Sequence, residues 1–279
     1  MDIKRIMREH GIKADKRLGQ HFLMDEAPIA AMIQAAELND DDGVLEIGPG
    51  LGVLTVKLCE RAGKVVAVEK DRDLIPVLKK ITRDFKNICV IKEDVLKLDL
   101  ELLKDRYFDS SFKVVANLPY YITSPIIMKM VQNRHLVELA VVMVQKEVAR
   151  RLNALPGGKD YGILSIAVQL YADVDIVCEV GKDAFMPPPK VDSAVVRIRL
   201  KQRPQVMMED EALFFKVVEA AFGERRKTVR NALKGRLVLP GISPDKIDGA
   251  LERAGIDPTR RGETLSIQEF ARLASALRQ

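Results

Sequence analysis

The chain has no tryptophan, and it holds three cysteines and three histidines among 279 residues. Cys59, Cys89 and Cys178 are odd in number, far apart and set in apolar surroundings. That excludes a disulfide framework and a metal-ligand spacing, and it predicts reduced core thiols in a cytosolic protein. His10, His21 and His135 form no pair, which argues against a zinc or iron centre, so no metal is expected. No apolar run approaches the roughly 18 residues a membrane span needs, so no membrane partner is expected. The N-terminal stretch has no apolar signal core, because Lys4, Arg5, Arg8, Lys13, Lys16 and Arg17 are scattered through it. These absences together predict a cytoplasmic location.

What is present is a chain with 47% hydrophobic and 30% charged residues, enough for one large domain or a large one with a small companion. The net charge of +5 is modest, so its distribution carries more than its sum. Residues 1–20 hold six basic side chains against Asp2, Glu9 and Asp15. Between residues 222 and 236, Arg225, Arg226, Lys227, Arg230, Lys234 and Arg236 face Glu224 alone. Most charge runs are solvated helix faces. Two such clusters in a chain that also carries a ligand-binding fold favour a polyanion surface, and Arg225, Arg226, Lys227, Arg230 and Lys234 are the candidate nucleic-acid contacts.

The sequence is organised around residues 44–55, Val-Leu-Glu-Ile-Gly-Pro-Gly-Leu-Gly-Val-Leu-Thr. A short apolar run ends in three alternating glycines before an amphipathic pattern begins, which reads as strand, tight turn and helix start. The spacing is G-x-G-x-G, with Val53 where a dinucleotide fingerprint would have its last glycine. Strands are expected at 44–47, 64–69, 88–92, 113–116, 136–144, 174–180 and 194–200, with helices between most of them. That alternation is the mark of a mostly parallel sheet. Lys201-Gln202-Arg203-Pro204-Gln205 reads as a linker, and the pattern beyond it is all helical. The expected division is therefore a domain over 1–203 with a basic N-terminal arm and a helical domain over 204–279. Ser243 with Pro244, and Ser266 with Glu269, read as helix starts in the latter.

In an open α/β sheet, ligands bind beyond the carboxyl ends of the strands. The first four strands end, in order, in the glycine turn, Glu69, a loop holding Asp94, and Asn117. Glu69 lies twenty-one residues past Gly48, a spacing suited to a carboxylate accepting from ribose hydroxyls. Asp94 is placed to accept from an adenine amine. One strand-end acid is usually a cap, but four successive strand ends with matching polar groups are harder to dismiss.

Asn117-Leu118-Pro119-Tyr120 is the most specific signal. The exocyclic amine of adenine is a poor nucleophile because its lone pair is delocalised into the ring. Carbonyl oxygens that accept both of its hydrogens favour a pyramidal, reactive nitrogen. The Asn117 side-chain oxygen and the Leu118 main-chain carbonyl can serve, with Pro119 fixing the turn. Tyr120 offers a π face to a base taken out of its stack.

With these motifs the chain resembles the bacterial rRNA adenine N6,N6-dimethyltransferase family, from Gly19 to its end. Gly19-Gln20-His21-Phe22-Leu23 is similar to the family's G-Q-N-F-L, with His21 where Asn is frequent. Residues 46–52 resemble its S-adenosyl-L-methionine loop. The resemblance implies cofactor contacts from Gln20, His21, Leu23, Glu46, Gly48, Gly50, Leu51 and Gly52, then from Glu69, Lys70, Asp94, Val95 and Asn117. Phe185-Met186-Pro187-Pro188-Pro189-Lys190-Val191-Asp192-Ser193 resembles the F-x-P-x-P-K-V-x-S loop, which implies that Phe185 packs on the target adenine opposite Tyr120. Residues 222–228 resemble the segment that opens the second domain's basic helix.

The implied fold is a Rossmann-like class I methyltransferase sheet of seven mostly parallel strands, the last antiparallel, with a small all-helical C-terminal domain. The implied activity is dimethylation of two adjacent adenines in the loop of the last small-subunit (16S) rRNA hairpin. The expected partner is small-subunit rRNA or a pre-assembled small ribosomal subunit, and the expected state is a monomer. Three rivals stand beside this: a resistance methylase of large-subunit rRNA, an NAD dehydrogenase, and an assembly factor acting mainly by binding. The G-x-G-x-G spacing and the Asn-Leu-Pro-Tyr turn disfavour the dehydrogenase, and the Phe-x-Pro-x-Pro loop favours the small-subunit enzyme.

Overall fold

Runs of valine, isoleucine and alanine bounded by turn residues become the strands, because branched side chains suit a pleated, doubly covered surface. The computed structural model describes residues 3–15, 18–224, 226–240 and 242–278. In chain order the strands are β1 (Phe22–Leu23), β2 (Gly43–Ile47), β3 (Lys64–Glu69), β4 (Ile88–Lys92), β5 (Phe112–Asn117), β6 (Val137–Gln145), β7 (Ala172–Val180), β8 (Phe185–Met186) and β9 (Ser193–Leu200). Seven of them form one sheet in the order β4-β3-β2-β5-β6-β9-β7. Pairings from β4 to β6 are parallel, and β9 runs antiparallel to both β6 and β7. The order reverses between β2 and β5, so the crevice above the carboxyl ends of these strands is the place for a ligand.

The central strands are fully covered: Val65, Val66, Val114, Val115, Val141 and Val142 are all buried. Helix Glu26–Ala35 packs on β6, β7 and β9, and helix Val53–Cys59 packs on β3. Asp25 caps the first of these by accepting from the Ala27 N–H at 2.9 Å. Met32, Leu58, Val65, Val115 and Val141 share one core with Cys59, whose thiol burial pushes up to about 12, beyond use as a nucleophile. A second cluster joins Ile3 to Phe22, Leu51, Leu74 and Val77. The basic N-terminal arm thus contributes helix Ile3–Glu9, whose apolar side is packed.

A helix and a second sheet depart from the sequence expectation. Helix Leu100–Tyr107 lies between β4 and β5, where no helix was expected. Asp99 caps it, accepting from the N–H groups of Glu101 and Leu102 at 2.9 and 3.1 Å. A second, two-stranded sheet pairs β1 with β8, Phe22 opposite Met186 and Leu23 opposite Phe185.

The chain falls into two compact units, one holding residues up to Ala149 with Ala172–Gln202, the other Arg150–Tyr171 with Arg203 onward. The segment 150–171, which the sequence pattern counted with the sheet domain, thus clusters with the helices. Its Tyr161 ring meets Phe222 edge-on at 6.0 Å, and Phe222 in turn lies 6.1 Å from Phe270. The Gly157 N–H donates to the Glu263 carbonyl at 2.8 Å, and the Gln205 N–H donates to that of Leu170 at 2.8 Å. In the same unit Ser266 and Glu269 form the expected reciprocal cap: the Glu269 N–H donates to Ser266 Oγ at 3.2 Å, and the Ser266 N–H donates to Glu269 Oε2 at 2.8 Å. Ser243 accepts from the Lys246 N–H at 3.2 Å as the cap of helix Pro244–Arg253.

Candidate active site

The glycine turn after β2 is built from backbone that side chains resist. Gly48, Gly50 and Gly52 have φ of 66°, 57° and 78°, in the left-handed region that costs other residues roughly 1–2 kcal/mol. A Cβ on Gly50 would lie 3.3 Å from the Phe22 ring, and one on Gly52 would lie 2.9 Å from Leu78 Cδ1. Gly50 therefore keeps a cradle open. Gly52 turns the chain into helix Val53–Cys59 and does not line the pocket.

That pocket opens over the ends of β2, β3, β4 and β5. Gln20, His21, Leu23, Glu46, Gly48, Gly50 and Leu51 line it, as do Glu69, Lys70, Asp94, Val95 and Asn117. Every expected cofactor residue except Gly52 is thus brought to one place. Asn117, Leu118, Pro119 and Tyr120 line it too.

Phe185, expected to pack on the target adenine, lies apart from this pocket. It is 2% exposed, lies in the main core with Leu23 and Ile29, and is absent from the pocket wall. Its strand pairs with β1, Phe185 opposite Leu23.

The carboxylates are held in distinct ways. Glu69 sits at the end of β3 with Oε2 accepting from the Gly50 N–H at 3.1 Å and Oε1 from the Asp71 N–H at 2.8 Å. Burial nevertheless raises its pKa. Glu46 is 1% exposed, with Oε2 lacking any hydrogen-bond partner. Burial pushes it up to about 8, moderated by the Thr55 hydroxyl and reinforced by the charge of Glu69. Asp94 accepts from Lys70 Nζ at 2.9 Å and from the Leu96 N–H at 3.0 Å, and the Lys70 ammonium holds its carboxyl below the usual range.

The Gln20 amide bridges the arm to this cluster, its Oε1 accepting from the Asp15 N–H at 2.8 Å and its Nε2 donating to Asp71 Oδ2 at 2.7 Å. At the end of β5, Asn117 Nδ2 donates to the His21 carbonyl at 3.3 Å. The Tyr120 hydroxyl is 2.6 Å from Ser193 Oγ.

Sequence reasoning assigned no site role to Asp71, Ser193 or Tyr121. Ser193 closes the Phe-Met-Pro-Pro-Pro motif, and Tyr121 follows the Asn-Leu-Pro-Tyr turn. Both positions stand out in the sequence, but nothing in it shows what they touch.

The expected basic residues fare unevenly. Arg225 lies outside the described residues, and Arg226 is exposed. Lys227 pairs with Glu224 at 2.5 Å. Arg230 grips Asp248 through Nε and Nη2 at 2.7 and 2.6 Å, and Lys234 adds a third bond at 2.8 Å. These two cations hold the Asp248 carboxyl far below its ordinary pKa.

A mostly parallel sheet reversed at one edge, with a pocket over its switch point and the Asn117 amide beside it, is the architecture of a class I methyltransferase. The cradle fits S-adenosyl-L-methionine: Gly50 leaves room at the turn, and Glu46 offers a buried carboxyl oxygen without a partner. The ribosomal RNA adenine dimethylase family model matches residues 11–279. The ribosomal RNA small subunit methyltransferase A of Alkaliphilus metalliredigens is 46% identical over 271 residues, covering 97% of this chain and 94% of that one. The protein of the same name from Clostridioides difficile is 46% identical over 275 residues, covering 98% and 94%. Among solved structures, a dimethyladenosine transferase from Plasmodium falciparum superposes with a TM-score of 0.77 at 29% identity, covering 91% of this chain and 96% of that one. The 23S rRNA methyltransferase ErmE gives 0.69 at 29%, covering 92% and 100%.

The chain belongs to the ribosomal RNA adenine dimethylase family. Its methyl donor is S-adenosyl-L-methionine.

Proposed function

We propose that the protein transfers methyl groups to N6 of two adjacent adenines in the loop of the 3′-terminal hairpin of small-subunit rRNA, during small-subunit biogenesis. The observation that carries this is the Asn117 amide. Its nitrogen donates to the His21 carbonyl, so Oδ1 is the end left for a substrate amine, beside the donor pocket. The bound donor supplies a methyl already activated on a sulfonium, so the work of the chain is positioning.

Glu69, Asp94 and the glycine cradle hold the donor. Asn117 Oδ1 and the Leu118 carbonyl accept the two amine hydrogens and localise the nitrogen lone pair. No carboxylate base is needed before transfer, because the methylated amine becomes strongly acidic and sheds its proton afterwards. Tyr120 supports the base, and a looped RNA makes extruding that base inexpensive. Arg226, Lys227 and the basic helix Val229–Arg236 grip phosphates without reading sequence.

Small-subunit rather than large-subunit rRNA is supported by the names of the relatives that match nearly the whole chain. Among the described residues no helix is long and apolar enough to cross a membrane, and a cytoplasmic monomer acting on rRNA or on a pre-assembled subunit suits the activity. The test is to incubate small-subunit and large-subunit rRNA, free and in particles, with the protein and labelled donor, and to map the methylated bases. Two adjacent dimethyladenines in the last hairpin are expected. Label confined to large-subunit rRNA would overturn the proposal.

A further inference from the structure

His21 belongs to a motif whose resemblance implies a cofactor contact, yet its ring is engaged elsewhere. Nδ1 lies 2.7 Å from the Pro187 carbonyl. A carbonyl only accepts, so Nδ1 carries the proton and donates. The imidazole also stacks on Tyr120, with ring centroids 5.7 Å apart and planes 24° from parallel. Its own main-chain carbonyl receives the Asn117 amide. Tyr120 is pinned from its other end by Ser193. One residue of the arm thus touches the catalytic turn twice and the proline-rich loop once.

We infer that His21 is a positioning residue for the target base, an aromatic backing for Tyr120, and not a side-chain ligand of the methyl donor. The inference rests on the proposal that the Asn117–Tyr120 turn receives the adenine. The physical case is geometric. A base stacking on Tyr120 presses on a ring that is otherwise fixed at its hydroxyl and its backbone. The His21 plane blocks tilting of that ring, and the Pro187 bond blocks rotation of the imidazole. Two methylations raise the demand, since the amine must be presented again after the first methyl has made it bulkier. A Tyr120 ring that can tilt will release monomethylated base.

The test compares His21→Ala, His21→Asn and His21→Phe on small-subunit rRNA particles lacking the modification, reading kcat, KM, donor Kd and the ratio of monomethyl to dimethyl product. In His21→Ala and His21→Asn, kcat is expected to fall about tenfold, the scale of one aromatic pair together with the hydrogen bond it supports. Monomethyl product should accumulate and donor Kd should stay within about twofold. His21→Phe, which keeps a ring but no donor, should recover most of the kcat and the product ratio.

A donor Kd weakened tenfold with an unchanged product ratio would overturn the inference and return His21 to the cofactor. So would a His21→Phe variant as poor as His21→Ala. Wild-type protein that leaves the hairpin unmethylated would sink the parent proposal and this inference together. Normal wild-type activity with unchanged His21 variants sinks the inference alone.

Discussion

Asn117 and His21 are joined by one hydrogen bond, from the side-chain amide of the first to the main-chain carbonyl of the second, at 3.3 Å. The bond decides which end of the amide a substrate meets. It also ties the end of β5 to the arm before β1, so the acceptor is aimed from two sides. Asn117→Ala should lower kcat by about 10²–10³, the cost of removing one preorganised polar partner of the reacting group. Donor Kd, measured by calorimetry, should stay within a few-fold. Near-normal turnover would remove Asn117 from the mechanism.

Gly50 and Gly52 share a backbone conformation but serve different ends, and alanine separates them. Both variants should lose roughly 1–2 kcal/mol of folding stability from the left-handed backbone. At Gly50 the new Cβ reaches the Phe22 ring at 3.3 Å inside the pocket lining, so donor Kd should weaken about tenfold, or ~1.4 kcal/mol. At Gly52 the Cβ meets Leu78 at 2.9 Å outside that lining, and the loss should show in denaturation midpoint far more than in Kd. Equal effects on Kd would mean that the turn responds as one unit.

The sheet was legible because its signals are local. Branched runs at 64–69 and 88–92 became β3 and β4 at those limits, and the polar groups at four successive strand ends converge on one pocket. Helix Leu100–Tyr107 escaped because it buries little beyond Leu100 and Leu103, leaving a short charged stretch without a clear stripe. The pairing of Phe22–Leu23 with Phe185–Met186 involves two residues a side, too few for any period to show. It is also what draws Phe185 into the core. Placement of 150–171 with the helical unit depends on Tyr161 and Phe222 meeting, a packing that leaves no trace in either segment's pattern.

Glu46 sets a pH dependence whose sign is unusual for a carboxylate. Its pKa rises from 4.5 to about 8 on folding because burial disfavours the charge. Between those values the native state holds a proton that the unfolded chain has lost, so stability falls as pH rises through this window. Below about pH 4.5 both states are protonated and the penalty vanishes, and above about pH 8 it is complete. Glu46→Gln removes the titration. Its stability relative to wild type should therefore climb with pH from 5 to 8, by at most ~1.4 kcal/mol per unit, as read by urea denaturation. A difference that is flat with pH would show that Glu46 stays ionised in the fold.

Asp248 is shared by Arg230 and Lys234, so one carboxylate offsets part of the charge offered to RNA by helix Val229–Arg236. If that face meets phosphates, Asp248→Asn should raise RNA affinity at low salt and steepen its decline with salt, because two cations are released from an internal pair. Arg226→Glu should do the reverse, lowering affinity and flattening the slope by about 0.7 for each phosphate no longer neutralised on single-stranded RNA. Both are read from filter-binding titrations over a salt series, with circular dichroism confirming the helical unit. A loss of affinity that does not change with salt would trace to misfolding. Slopes unmoved by either substitution would assign these side chains to holding helices Val229–Arg236 and Pro244–Arg253 together, and would place the RNA against another face of the chain.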